Sequence, residues 1–503
     1  MTNLKGSDIN NNSASQAVAG TAWLTVANVI TMVLGLALAI ASTRKFSADV
    51  YGSFILLSLI SGLLSQLTTL GFGLAIPRFL ATSEDAQRKE LLVNTFLTLR
   101  LMASGVMIII ALALAPLLFK LFHVEGGTTT FVLVAMMFFL GSVTSTMQSI
   151  LQGFLRFKEI AIWDVASSFL NLVLLFILIL LPISGLAVLV YSYLIAYLIA
   201  GVYMFVSIPV RKYLLIEISL MKDIIKFGFP LQLNDILSYF YNSIDTWMIA
   251  ALLPTADIAY FSIARRIPDS LLSFFDPYTT VFFPLFSRLH AANEHEKAEL
   301  LLRNALRLVT FVSLSIAGIV LLFGKDIMRL LFSDKYVVAA PAFFMLMVAL
   351  VLNLIGYLLG KSLVAVGESD KPAKINLAHV AVSLLSNWFL IPMLGIIGAG
   401  ITEIAGPTVT NPLNYIFLIR KYPMHVLSSY LKPLVIFACW TALIFLIPVD
   451  NLVFKIVAFV LFVLANVFFS VITRDDFSFA RAEAEKMLKT VAHRFETNKD
   501  LEA

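Results

Sequence analysis

Long apolar runs separated by short polar stretches recur along the whole chain. A window of about 19 residues finds about fourteen of them. They fall near residues 18–41, 50–74, 91–115, 128–152, 161–181, 184–208, 224–252, 258–287, 300–323, 338–366, 374–392, 395–419, 431–448 and 451–472. Most approach or exceed the roughly 20 residues that a helix needs to cross the hydrocarbon core of a bilayer. The pattern predicts an all-α integral membrane protein with about fourteen transmembrane helices. The connections are short and leave no room for a soluble catalytic domain.

Organisation follows from the order of these runs. Residues 1–17 are a polar N-terminus, and the run after them is too long for the apolar core of a signal peptide, which spans about 7–15 residues. Residues 47–64, SADVYGSFILLSLISGLL, and 255–272, TADIAYFSIARRIPDSLL, align without gaps and share an Ala-Asp pair, an Ile and a Leu-Leu pair. They lie at the second and eighth spans, which makes the repeat six spans long and gives both halves one orientation, as in transporters whose sites lie between lobes. The expected layout is an N-lobe over 18–208, a linker over 209–223, a C-lobe over 224–420, and two extra spans over 421–473. Each lobe holds six helices, and the two pseudo-symmetric lobes enclose a central cavity. Within the tail, 474–503, Ala480, Ala484, Met487, Leu488, Val491 and Phe495 recur at helical spacing, as in an amphipathic helix lying on a membrane face.

Composition agrees with a chain solvated mostly by lipid. Of 503 residues, 60% are hydrophobic and 13% charged, and the mean hydropathy is +0.92. A soluble protein of this size needs more polar surface. With the N-terminus placed inside, the inward loops carry most of the Lys and Arg, including Arg78, Arg88, Lys89, Arg156, Lys158, Arg211, Lys212, Lys222 and Lys226. The positive-inside rule then puts both termini in the cytoplasm of a cell (inner or plasma) membrane protein. The single cysteine, Cys439, excludes an internal disulfide and is expected to be a small packing residue in its apolar run. The His residues are dispersed. No metal-ligand spacing, nucleophile elbow or phosphate-cradling glycine loop is present, so no enzymatic chemistry is indicated.

Polar residues inside the spans fall in stripes. Span 7 aligns Asp235, Ser238, Tyr239, Asn242 and Asp245 at spacings of three and four, and span 11 aligns Asn376, His379, Ser383 and Asn387. Asn28 in span 1, Ser65 in span 2, and Ser145 and Gln148 in span 4 extend the set. Ser and Thr in such stripes bond their own helix backbone or join helices; carboxylates and amides together face a bundle interior or water. His379, alone on its span, reads as a helix contact or as part of a shared polar cavity.

Four basic residues fall at membrane depth: Arg100, Arg265, Arg266 and Arg307. A charge there costs roughly 2.5–3.5 kcal/mol on insertion scales. Arg265 and Asp269, four apart, can pair on one helix. The remaining partners on offer are Asp235 and Asp276. Either these carboxylates neutralise the arginines for assembly, or at least one guanidinium faces a wet cavity and holds an anion, whose paired oxygens suit its fork. Arg100 would supply a similar charge from the other lobe, and Arg307 lies near enough to a membrane face to snorkel.

Three stretches resemble a known family. STRKFSADVYGSFILLSLISGLLSQLTTLGFGLAIPRFLA (42–81) resembles the opening hairpin of polysaccharide flippases. LQGFLRFKEIAIWDVASSFLNLVL (151–174) is similar to their turn between spans 4 and 5. VGESDKPAKINLAHVAVSLLSNWFLIPMLGIIGAGITEIAG (366–406) carries Asn387, an Ile-Pro pair and the glycines at 395, 398 and 400. The chain thus resembles the multidrug/oligosaccharidyl-lipid/polysaccharide exporter superfamily, in its O-antigen-type polysaccharide flippase branch. That resemblance implies alternating access by two lobes and a polyprenyl-diphosphate-linked oligosaccharide as substrate, carried from the cytoplasmic to the outer leaflet. Membrane lipid and other polysaccharide assembly proteins are the implied partners, with no nucleic acid.

It also implies that Arg265, Arg266 and Arg100 hold the diphosphate. The cavity polar set would be Asn28, Ser65, Ser145, Gln148, Ser238, Asn242, Asp269, Asp276 and His379. Coupling to Na+ or H+, with no other cofactor, would involve Asp235, Asn376, Thr402 or Glu403. A drug/cation antiporter of the same superfamily and a membrane-embedded polysaccharide polymerase or ligase are the competing readings. The membrane-level arginines weigh against the first and the short outward loops against the second.

Overall fold

The computed structural model describes residues 3–83, 85–121, 127–368, 370–446 and 451–471. The predicted amphipathic tail, 474–503, lies outside the described residues, as does the side chain of Asp276.

Among the described residues, each predicted apolar run lies largely on helix. The N-terminal part holds α1 (Asn3–Lys45), α2 (Ala48–Leu67), α3 (Phe72–Ala81), α4 (Ala86–Leu121), α5 (Gly127–Gly153), α6 (Phe157–Leu178) and α7 (Gly185–Ser207). The rest holds α8 (Ile218–Leu252), α9 (Thr255–Ala291), α10 (His295–Phe332), a short 3-10 turn (Asp334–Ala339), α11 (Ala340–Ala365), α12 (Asp370–Leu394), α13 (Ile396–Lys421), α14 (Leu427–Leu446) and α15 (Leu452–Phe468). Ten helices are long and apolar enough to cross a membrane by length and composition. The helices α8, α9 and α13 have the length, at 35, 37 and 26 residues, but polar stripes and charges interrupt their apolar windows. The fold is that of an all-α integral membrane protein.

Three details depart from the sequence pattern. The second span is not one helix: α2 stops at Leu67, and Leu70 (φ 52°) and Gly71 (φ 68°) turn the chain through the left-handed region before α3 begins. Helix α1 starts within the polar N-terminal segment, at Asn3. Cys439 is exposed on α14, and not a packed interior residue, because its face of the helix is left open to the surroundings.

Helix starts are set locally. Ser47 caps α2 by accepting from the Val50 N–H, Ser184 caps α7 through Ala187, and Asn451 caps α15 through Val453. The two repeated Ala-Asp motifs stand in the first turns of α2 and α9. They touch: Gly52 lies so close to the Thr255 carbonyl that a Cβ there would collide with it.

The chain packs as two compact units. The first comprises Met1–Ser270, Met328–Ala340 and Asn387–Ala399; the second comprises Leu271–Ile327, Pro341–Ser386 and Gly400–Ala503. A dense apolar core in the first unit joins Phe72, Phe96, Ile150, Trp163, Met204 and Ile224 from six helices. Beside it, the non-helical stretch before α8 is strapped to α4. Asn94 accepts from the Tyr213 N–H (2.8 Å) and donates to the Arg211 carbonyl (2.9 Å), while Thr98 accepts from Leu215 (3.1 Å). In the second unit, α14 and α15 are tied by the Trp440 indole donating to the Ala458 carbonyl (2.8 Å), and Lys455 reaches Asp326 (2.6 Å).

Candidate functional site

Charged side chains gather in the first unit where α8 and α9 meet. The two helices are joined by the short Leu253–Pro254 turn, so residues equally far from it come level. Asp245, on the polar stripe of α8, is 3% exposed. Its carboxylate accepts from the Asn387 side-chain amide of α12 and lies 3.7 Å from Nη1 of Arg265. On its other side, Arg265 Nε lies 3.2 Å from Asp269 Oδ2, one turn further along α9. Two carboxylates therefore hold a single guanidinium, and the Asn387 amide holds one of those carboxylates.

Arg266 is placed differently. Adjacent residues diverge by about 100° around a helix, and this side chain is exposed. Its guanidinium rests on Gly35 of α1, where any Cβ would strike it. No described carboxylate lies within ion-pair distance of it. At 1.5 Å per residue it stands about 16 Å from the start of α9. It is a positive charge with an open side.

Arg100 sits in a third environment. It is 1% exposed and donates to the carbonyls of Ser142 (3.0 Å), Thr68 and Ser65, and to the Ser65 hydroxyl (3.1 Å). The carbonyls at 65 and 68 belong to the last turn of α2 and its exit, where the helix dipole favours a cation. In this conformation the guanidinium is closed around backbone and joins α2, α4 and α5.

The other predicted residues spread over both units. In the first, Asn28 of α1 and Ser145 of α5 are exposed, and Ser65 is bound to Arg100. Gln148 donates to Asp164 of α6 (3.1 Å), an acid not singled out in the sequence. Ser238 and Asn242 are exposed on α8, with the Asn242 amide on the Ser238 carbonyl (2.8 Å), and Asp235 is half-buried. In the second unit, Asn376 is exposed, Thr402 buried and Glu403 half-buried. His379 is 8% exposed, with its ring directly against Gly406 of α13, as a helix contact.

Asp245, Asn387 and Gly35 are thus the unanticipated members of the site. The first two stand on the predicted stripes, but pairing between helices is not written in either stripe. The second unit also holds an apolar groove of about 1180 Å³ between α14 and α15. Leu431, Val435, Leu443, Phe454, Val457 and Leu461 line it, with Lys432 and His425 among the few polar groups, a lining suited to a hydrocarbon chain.

Comparison with known proteins gives the family and the fold. A family model described as "Polysaccharide biosynthesis protein" matches residues 43–341. The probable low-salt glycan biosynthesis flippase Agl15 of Haloferax volcanii is 23% identical over 199 residues, 40% of this chain and 40% of that protein. An uncharacterized membrane protein in the cps region of Klebsiella pneumoniae is 21% identical over 213 residues, 42% of this chain and 44% of that one. The chain therefore matches less than half the length of either curated relative. Among solved structures, the lipid II flippase MurJ in an inward closed conformation aligns over 90% of this chain and 99% of its own, with a TM-score of 0.67 at 14% identity. An inward-facing multidrug resistance MATE family transporter of the MOP superfamily aligns over 78% and 94%, with a TM-score of 0.62 at 18% identity. The shared property of these two with the present chain is the fold.

Proposed function

The chain belongs to the polysaccharide biosynthesis protein family, and from that premise we infer that it is a flippase for a polyprenyl-diphosphate-linked oligosaccharide. It moves the sugar and diphosphate from the cytoplasmic to the outer leaflet of the cell membrane by alternating access of its two six-helix halves, with both termini cytoplasmic. The naming of one relative as a glycan biosynthesis flippase supports the reading.

The observation that carries it is Arg266. A guanidinium at mid-membrane without a described carboxylate beside it is costly unless water or an anion meets it. Its flat fork matches two phosphate oxygens, whereas a cationic drug would be repelled. Arg265 stands next to it already held by Asp245 and Asp269. It sets the local field and steadies α9, leaving Arg266 to grip the cargo. The exposed hydroxyl and amide of Ser238 and Asn242 replace water around the sugars. Release follows when the diphosphate is displaced from Arg266 as the halves rearrange. Asp235, or the Thr402–Glu403 pair with Asn376, takes the coupling Na+ or H+; a proton needs one carboxylate, sodium several oxygens.

The test replaces Arg266 by Gln and by Lys and measures surface glycan against the amount of protein in the membrane. Arg266→Gln is expected to lower delivery at least about tenfold, the loss of one charge-assisted contact, at unchanged protein level. Arg266→Lys should recover part of it, as a point charge without the fork. Normal delivery by Arg266→Gln overturns the assignment.

A further inference from the structure

The break between α2 and α3 leaves backbone groups that lipid cannot satisfy, and the way they are satisfied is informative. From one side Arg100 takes the carbonyls of Ser65 and Thr68. From the other, a single side chain of α8 bonds two backbone groups: the Gln232 amide nitrogen donates to the Gln66 carbonyl (2.6 Å), which the Thr69 N–H also reaches (3.2 Å), and its oxygen accepts from the Gly71 N–H (3.2 Å). Gln232 is 6% exposed, and only an amide offers both a donor and an acceptor in that geometry.

The backbones meet at the same point. A Cβ at Gly71 would strike the Gly228 carbonyl and Cα, and one at Gly228 would strike the Leu70 carbonyl. Just before it on α8, Phe227 carries the Arg78 guanidinium 4.1 Å from its ring centre and meets Phe79 edge-on at 5.9 Å. Further along, the Tyr239 hydroxyl donates to the Leu59 carbonyl (2.6 Å) above Gly62.

We propose that Gln232 and the Gly71–Gly228 contact form a clasp between α2/α3 and α8, closed in this structure, which parts and re-forms as the protein works. The two grips on the break differ in kind. Arg100 binds through charge and is enclosed by helices of the N-terminal part alone. Gln232 binds through two neutral hydrogen bonds that water reproduces when the helices separate. The glycine pair permits a contact between backbones with no interlocked side chains to withdraw, and Pro230, inside α8 between Gly228 and Gln232, removes one of that helix's own bonds where it must flex. The strap from 211–217 onto α4 keeps the chain before α8 in place, so movement falls on the clasp. Helices α2, α3 and α8 belong to one compact unit, so the clasp is a seam within that unit; the inference rests on the flippase reading for its purpose, but not for its existence.

The experiment keeps the whole chain in membranes permeabilised to reagent on both faces, with Cys439→Ser removing the native thiol. Thr69→Cys, at the break, reports opening through labelling by a hydrophilic maleimide. A second protein adds Gln66→Cys and Gln232→Cys, joined by a short bis-thiosulfonate before labelling, its Thr69 left unchanged, and is assayed for glycan delivery. Gln232→Met, of similar volume without the amide, is expected to raise Thr69→Cys labelling about tenfold, as a shift in the open population, and joining 66 to 232 to stop delivery reversibly on reduction. Labelling unchanged by Gln232→Met overturns the clasp. If Arg266→Gln leaves delivery intact while Gln232→Met still raises labelling, the clasp stands and the assignment of the cargo grip to Arg266 falls.

Discussion

Two regions of the first unit bury arginine at membrane depth, and they solve the same problem in opposite ways. Around Arg100 the neutralising groups are backbone carbonyls and a hydroxyl, contributed by α2, α5 and the turn after α2. Around Arg265 they are carboxylates, one buried and one exposed, and its neighbour Arg266 rests on a glycine with its open side exposed. Depth alone therefore does not mark a functional charge. Partners distinguish the two: in the proposed function, the arginine wrapped in carbonyls serves the scaffold and the one beside a neutralised arginine serves the ligand.

The comparison breaks most readily at Arg100. Arg100→Leu takes a donor from the carbonyls of Ser65, Thr68 and Ser142; those of Ser65 and Ser142 keep the Thr68, Thr69 and Thr146 hydroxyls, while the Thr68 carbonyl loses its described partner, at a cost of about 1–3 kcal/mol. The largest fall in folded yield and thermal midpoint in detergent is expected here, with glycan delivery falling in proportion to protein. Normal yield with abolished delivery would move Arg100 from scaffold to cargo.

How far this division was legible in the sequence depends on the kind of contact. Helix positions were, because lipid demands long apolar runs and self-satisfied backbones. The break after Leu67 was not, because SQLTTLGFGL keeps its hydropathy while Leu70 and Gly71 turn the chain. The arginine pair was visible as charge in an apolar stretch, and the i, i+4 partner Asp269 followed from helix geometry. The sequence also offers Asp235 and Asp276 as partners. Counting from the Leu253–Pro254 turn brings Asp245 and Arg265 to within about 4.5 Å of the same level, a gap that an arginine side chain spans. Asn387 and Gly35 come from helices far along the chain, and only packing brings them in.

Asp245 is the next point at which to sharpen the contrast. Asp245→Ala deprives Arg265 of its buried carboxylate and the Asn387 amide of its acceptor, a loss of about 1–3 kcal/mol. Arg265 stays partly exposed with Asp269 beside it, so the effect should fall below that of Arg100→Leu. Adding Arg265→Gln removes the charge that Asp245 had offset and should return about 0.5–3 kcal/mol as coupling. The readout is the thermal midpoint of the single and double variants. Strict additivity would mean that the 3.7 Å pair holds nothing together.

The smallest effect belongs to Asp269. Its side chain is 59% exposed, and an exposed i, i+4 pair contributes about 0.3–0.5 kcal/mol. Asp269→Asn keeps the shape and a hydrogen-bond acceptor for Arg265 Nε, so the thermal midpoint should match that of the unaltered protein. Delivery should change by less than about twofold, the scale of such a pair. The value of the variant lies in its rank. If Asp269→Asn exceeds Asp245→Ala in either readout, the exposed carboxylate and not the buried one governs Arg265. Arg265 would then stand open to the same surroundings as Arg266, and the two would bind an anion together rather than divide the roles of anchor and grip.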